Sequence, residues 1–186
     1  MKPLSRRLWL VRHGETDWSA SGRFNGWTDI PLNTRGRRQA RAVAGQLCGR
    51  EFLTVWSSDL CRAAETAWLA ETEPALDHRL RELDFGSLEG RTWAELSRRT
   101  REALIDFDAF TAPDGESVAT MRDRVLEFVH ALPAGDHLVF THGGVIRLIS
   151  REGIERVTEP GEVVVLDLGA RAARGRTPRP RTSDRW

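Results

Sequence analysis

Three short blocks of this sequence carry residues suited to holding and attacking an anion. They are Arg12-His13-Gly14, Ser57-Ser58-Asp59 with Arg62 a few residues on, and Thr141-His142-Gly143-Gly144. A phosphate monoester is dianionic and calls for fixed cations and free backbone N–H groups. The guanidinium forks of Arg12 and Arg62 match phosphate oxygens two at a time. Gly143 and Gly144, at the start of a helix, offer bare N–H groups and the positive end of a helix dipole. A neutral imidazole nitrogen is a competent nucleophile toward phosphorus, so one histidine can attack. The other can stabilise charge on the equatorial oxygens during transfer. Taken singly, each feature has a plainer explanation. A histidine at a strand end is commonly structural, an arginine one turn into a helix is commonly solvated, and Thr-His-Gly-Gly can be a tight turn. What gives them weight is where the surrounding elements put them.

Those elements alternate. Residues 7–12 form a short apolar run that predicts a buried strand. Asn33 or Thr34 then caps a helix with Ala40, Val43, Ala44 and Leu47 on one face. Residues 52–57 read as a second strand, followed by a helix capped by Asp59 with Leu60, Ala64, Ala67 and Trp68 facing inward. Short helices are expected around 92–97 and 101–107. Gly115-Glu116-Ser117 opens a longer helix with Val118, Met121, Val125, Phe128, Val129 and Leu132 buried. Residues 137–141 form a third strand, a helix follows His142-Gly143-Gly144, and Val163–Leu168 forms a last strand. Apolar strands alternating with helices imply a mostly parallel sheet covered on both faces, an α/β/α three-layer sandwich. In such a sheet ligands bind beyond the carboxyl ends of the strands. All three blocks fall there.

The chain has 186 residues, 40% hydrophobic and 30% charged, and two cysteines, Cys48 and Cys61. Length and composition suit one soluble globular domain over residues 1–168 and exclude a disulfide scaffold. No apolar run is long enough to cross a membrane. Leu8 to Val11 is too short for a signal-peptide core, so a cytoplasmic location is expected. Of 28 basic residues only Lys2 is a lysine. The arginine excess reads mainly as codon bias. Residues 169–186 carry six arginines and one aspartate, with Gly175, Pro178 and Pro180, and read as a solvated, disordered tail rather than a nucleic-acid-binding arm. Cys61 reads as a small helix residue rather than a redox switch.

Leu10-Val11-Arg12-His13-Gly14-Glu15-Thr16 resembles the signature of the histidine phosphatase superfamily, in its phosphoglycerate mutase-like branch. The resemblance runs from about residue 8 to about residue 168. It takes in Gly22–Asn33, Ser57–Ala63, Glu82–Gly90, Gly115-Glu116-Ser117 and Thr141–Arg147. It implies that His13 becomes phosphohistidine, and that Arg12 and Arg62 hold the phosphoryl oxygens. His142 would complete the pocket, and Glu82 would give a proton to the leaving alcohol and later take one from water. It further implies substrate contacts from Asn25, Gly26 and Gly143, and no metal or organic cofactor. Among the carboxylates, Glu15, Asp84 and Glu89 rival Glu82 on physical grounds; Glu82 is favoured by its spacing to Phe85-Gly86. Two positions depart from the pattern. Ser19 stands where relatives often have Asn, and Asn25 where small phosphatases often have Gln.

Three functions remain open at this point. Only residues 91–114 separate the Glu82 block from the Gly-Glu-Ser helix, little material for a lid, which favours hydrolysis. The expected substrate is a small phosphorylated metabolite such as α-ribazole phosphate, with no nucleic-acid or membrane partner and the oligomeric state open. A bisphosphoglycerate-dependent mutase is the alternative enzyme. A non-catalytic protein that binds phosphate ligands is the alternative of another class. Trp27 is expected near the substrate, and the short 150–162 segment is expected to open one side of the pocket.

Overall fold

The computed structural model describes residues 5–150 and 158–168. Five strands form one sheet. Its central strand is β4 (Gly135–Thr141), paired in parallel with β1 (Arg6–Arg12) along its whole length, from Gly135 opposite Arg6 to Thr141 opposite Arg12. On the far side of β4 lies β2 (Thr54–Ser57), also parallel, with Ser57 opposite Phe140. The two-residue β3 (Ala75–Leu76) extends the sheet beyond β2. The last strand, β5 (Val163–Asp167), pairs antiparallel with β1 and closes the other edge. The order is β3-β2-β4-β1-β5. The sheet is thus mostly parallel, as expected, with an antiparallel edge that no apolar pattern announces.

The strands are apolar on both sides because both faces are covered. Leu8 and Leu10 of β1, with Val139 of β4, pack with Phe128, Val129 and Ile146. These belong to α5 (Val118–Ala131) and α6 (Gly143–Ser150). Trp9 and Val11, with Leu138 and Phe140, pack with Val43, Leu47 and Ala67. Those lie on α2 (Thr34–Leu47) and α3 (Cys61–Leu69). A period of two along each strand divides the core into these two layers.

Local chemistry sets the helix starts. Asn33 caps α2, its side chain accepting from the Gly36 N–H at 2.8 Å. Ser117 caps α5 by accepting from the Thr120 N–H at 3.0 Å. The expectation for α3 is corrected: Asp59 does not cap it. Leu60 holds that position without a side-chain bond, and Asp59 instead takes the guanidinium of Arg81, with Nε at 2.7 Å. Of the expected inner face, Leu60, Ala64 and Ala67 are buried and Trp68 is not. Arg62, Ala63, Thr66 and Ala67 are buried, while Trp68 is 57% exposed. Pointing Arg62 inward brings Thr66 with it at i+4 and leaves Trp68 outside.

A single helical turn, α1 (Asp17–Ala20), follows Thr16. Between β3 and α5 the chain forms α4 (Arg98–Ile105) and 3-10 turns at Trp93–Glu95 and Phe107–Ala109. The first expected helix is therefore a tighter turn, and the second starts earlier. Leu83, Leu88, Leu96, Leu104, Phe110, Met121 and Val125 give this part a core of its own. Among the described residues no helix is long and apolar enough to cross a membrane. The expectations for residues 169–186, and for most of 150–162, lie outside the described residues.

Candidate active site

The sheet register brings the three blocks together. The His13 N–H donates to the Thr141 carbonyl at 3.0 Å, and the Ser58 N–H to the Phe140 carbonyl at 2.9 Å. Each bond extends a parallel ladder by one residue. His13, Ser58 and His142 therefore leave adjacent strands at the same level. The His13 and His142 rings lie 5.1 Å apart between centroids.

His13 is 5% exposed, and its Nδ1 lies 2.7 Å from the Gly14 carbonyl oxygen. A carbonyl only accepts, so Nδ1 carries the proton and Nε2 keeps its lone pair. The Gly14 N–H donates to Thr66 Oγ1 at 3.0 Å, and the Thr66 hydroxyl donates to the Arg62 carbonyl at 2.6 Å. Helix α3 thereby braces the His13 loop. Burial, and then the charges of Arg62 and Arg12, hold the imidazole well below its ordinary range. It is neutral at physiological pH.

His142 is fully buried, with Nε2 2.9 Å from Ser58 Oγ. Burial and the neighbouring Arg62 also depress it well below the usual histidine range. Its Nδ1 is buried and has no partner among the described residues.

The two arginines show the same feature. Arg62 is fully buried, and its Nη2 donates to the Gly26 carbonyl at 2.6 Å. Arg12 donates through Nη1 to the Thr158 carbonyl. Arg12 Nε lies 3.6 Å from where a Cβ on Gly143 would stand, so its head sits against the start of α6. The Nε atoms of both arginines are buried without a partner among the described residues. Burial lowers both guanidinium groups from their ordinary value, opposed by the Glu82 carboxylate.

Glu82 lies on neither strand nor helix. Its Oε2 accepts from the Gly144 N–H at 2.9 Å and its Oε1 from the Leu83 N–H at 2.9 Å. This corrects one expectation: the Gly144 N–H is spent on Glu82 and is not free for phosphate. The expected rival carboxylates are engaged in loop architecture. Glu15 accepts from the Asn33 side chain and Arg35. Asp84 accepts from the Gly86 N–H. Glu89 accepts from the N–H groups of Trp27 and Thr28, both at 2.7 Å.

Asn25 Nδ2 is 3.3 Å from Thr16 Oγ1, and its Oδ1 is buried without a partner among the described residues. Gly26 contributes the carbonyl that holds Arg62. Ser19 is occupied elsewhere, in a capping box with Thr16. A cavity of about 410 Å³ adjoins the site, reaching Arg12, Glu82, Gly143 and Gly144. Its outer walls include Phe24, Phe85, Leu104 and Phe107, so residues 91–114 form a wall. Trp27 is not among its lining residues; its indole N–H donates to the Glu82 carbonyl at 2.9 Å. Phe24 reaches the cavity in its place. Sequence reasoning also missed Thr66, which its spacing four residues after Arg62 signals, and Arg124, which nothing local signals. Among the described residues no three His, Cys, Asp or Glu side chains group as metal ligands.

Known proteins resemble this chain in sequence and fold. The chain is 37% identical over 153 residues to phosphoglycerate mutase-like protein 4 of Arabidopsis thaliana, covering 74% of this chain and 66% of that protein. It is 39% identical over 155 residues to the metal-independent phosphoserine phosphatase of the same plant, covering 75% and 65%. It thus spans just under two thirds of the length of each. The crystal structure of phosphoglycerate mutase from Thermus thermophilus superposes with a TM-score of 0.81 at 45% identity, over 87% of this chain and 93% of that one. Residues 8–161 match the family described as histidine phosphatase superfamily (branch 1), and the chain belongs to that superfamily.

Proposed function

We propose that the chain is a metal-independent phosphatase that hydrolyses a small phosphate monoester through a phosphohistidine. One observation carries this reading. Three buried nitrogens, Arg12 Nε, Arg62 Nε and His142 Nδ1, lack partners among the described residues around a neutral His13. Unpaired buried donors are costly, and a dianion satisfies them together. With Nε2 accepting the Ser58 hydroxyl proton, His142 Nδ1 is a donor as well.

In the first step His13 Nε2 attacks phosphorus. The P–N bond forms, the bond to the ester oxygen breaks, and Glu82 gives its proton to the departing alcohol. In the second step water attacks phosphorus while Glu82 takes a proton from it. The P–N bond breaks, its electron pair returns to Nε2, and inorganic phosphate leaves. Arg12, Arg62 and His142 hold the charge on the transferring group throughout. Asn25 adds a polar contact at the rim, and Gly143, against the Arg12 head, lines the adjoining cavity.

The cavity lies within the ~300–1,000 Å³ range of small-molecule sites and has aromatic walls. It favours an alcohol with an apolar or aromatic body. α-Ribazole phosphate, an aromatic base on a phosphorylated ribose, is of that kind. Relatives with mutase names make phosphoglycerate mutase the competing reading.

Hydrolysis of p-nitrophenyl phosphate in EDTA, compared with His13→Ala, tests the chemistry. Turnover in the wild type alone is expected; no turnover would favour the binding-protein reading. Adding 3-phosphoglycerate with and without 2,3-bisphosphoglycerate separates the two enzymes. Isomerisation stimulated by bisphosphoglycerate and faster than phosphate release would overturn the phosphatase assignment.

A further inference from the structure

Glu82 needs a fixed position to pass a proton, yet no regular element carries it. Its segment is gripped from α5. Arg124 donates through Nη1 to the carbonyls of Arg79 at 2.9 Å and Arg81 at 2.6 Å, and through Nη2 to the Glu82 carbonyl at 2.9 Å. The same guanidinium makes a two-point pair with Glu116, Nε to Oε1 and Nη2 to Oε2, both at 2.7 Å. The two side chains are 13% and 9% exposed. Glu116 belongs to the Gly-Glu-Ser block, to which the phosphatase chemistry assigns no role. Its own N–H donates to the Asp84 carbonyl at 2.9 Å. One ion pair thus fixes the backbone on both sides of Glu82.

A partly buried ion pair is by itself weak evidence for anything beyond stability. The aim of this one is more specific. A guanidinium anchored by one carboxylate presents its remaining N–H groups in a rigid plane. Here they collect three carbonyls within four residues, and the last belongs to Glu82 itself. From that Cα the side chain reaches the Gly144 N–H. Proton transfer needs heavy atoms within ~2.6–3.2 Å, so a displacement of about 1 Å is felt in rate.

We propose that Glu116 and Arg124 form a positioning clamp that sets where the Glu82 carboxyl stands relative to the leaving oxygen. The proposal rests on the reading of Glu82 as proton donor. The clamp touches neither substrate nor phosphorus and positions through Glu82; the Arg124 charge also helps hold His142 below its ordinary range, a contribution that Arg124→Lys keeps and Arg124→Met removes.

The test is the rate of phosphoenzyme formation with p-nitrophenyl phosphate, whose leaving group needs no proton, and with an alkyl phosphate, whose leaving group does. Arg124→Met, Arg124→Lys, Glu116→Gln, Glu82→Gln and the Arg124→Met/Glu82→Gln double variant are compared. Melting temperature and vanadate binding serve as controls. General acid catalysis contributes ~10²–10⁴-fold, so Arg124→Met should slow the alkyl ester at least about tenfold more than the aryl ester. Glu116→Gln should act in the same direction, and Arg124→Lys should recover part of the loss. In the Glu82→Gln background Arg124→Met should add less than about twofold, because the two changes act on one step. Equal slowing of both esters, or costs that multiply in the double variant, would overturn the clamp. If Glu82→Gln shows no leaving-group preference, the acid reading fails and the clamp falls with it. If it does and the folded Arg124 and Glu116 variants do not, the clamp alone fails. Failure of all three clamp variants to fold would also overturn it, leaving the pair a structural tie.

Discussion

The Gly144 N–H donates to Glu82 Oε2 at 2.9 Å, and a Cβ on Gly144 would lie 2.2 Å from Glu82 Oε1. The start of α6 is therefore shaped to receive a carboxylate from a segment far earlier in the chain. Gly144→Ala should leave the fold intact, because the displaced atom ends a flexible side chain, but move the carboxyl away from the leaving oxygen. Turnover of alkyl phosphates should fall about tenfold or more while vanadate binding holds. Unchanged alkyl turnover would contradict this placement of Glu82.

Phe24 and Phe85 pack against each other with ring centroids 5.1 Å apart, and Arg147 lies over the Phe107 ring at 4.3 Å. These rings wall the cavity that reaches Arg12 and Glu82. Burying an apolar side chain is worth ~1.5–3 kcal/mol, so Phe107→Ala should raise KM about tenfold for an aromatic ester of the size of naphthyl phosphate. Methyl phosphate should be little affected. A parallel change for both esters would place the substrate body elsewhere.

His13 and His142 are both held well below their ordinary value of 6.5, chiefly by burial and then by positive neighbours. In the unfolded chain both return toward it. Below about pH 6.5 the unfolded chain therefore binds protons that the folded chain refuses, and stability falls as pH falls. The slope reaches about 1.4 kcal/mol per pH unit for each histidine. Above that pH both are neutral in both states and contribute nothing. Melting followed without phosphate from about pH 7.5 to about pH 5 should show this fall, with His142→Asn flattening part of it. An identical slope in that variant would remove His142 from the explanation.

Burial and the neighbouring Asp29 push the Cys61 thiol up to about 12. Near neutral pH it carries almost no thiolate, the reactive form. Iodoacetamide should label exposed Cys48 first, with phosphatase activity unchanged. Equal labelling rates would contradict the environment assigned to Cys61.

Much of the site is legible from residue order because strand ends are. Apolar runs ending in Arg12-His13, Ser57-Ser58 and Thr141-His142 mark three parallel strands, and parallel register does the rest. Arg62 is legible only through its place in the helix, and its inward aim overrode the apolar pattern that put Trp68 inside. What escapes is set by long-range contacts. β3 is two residues long, and β5 is as apolar as a parallel strand, so neither its direction nor the length of β3 leaves a signature. Glu82 is placed by Arg124 and Gly144, both far off in sequence, which no local periodicity reports. Trp27 looks like a substrate contact by type, but its indole N–H is committed to a backbone carbonyl.

The central claim is that His13 Nε2 takes the phosphoryl group. It is tested most directly by mixing the protein with a ³²P-labelled monoester in EDTA, quenching in base within milliseconds, and mapping the label. The account predicts acid-labile label on the peptide containing His13, absent from His13→Ala. Label on another peptide, or label kept by His13→Ala, would contradict it.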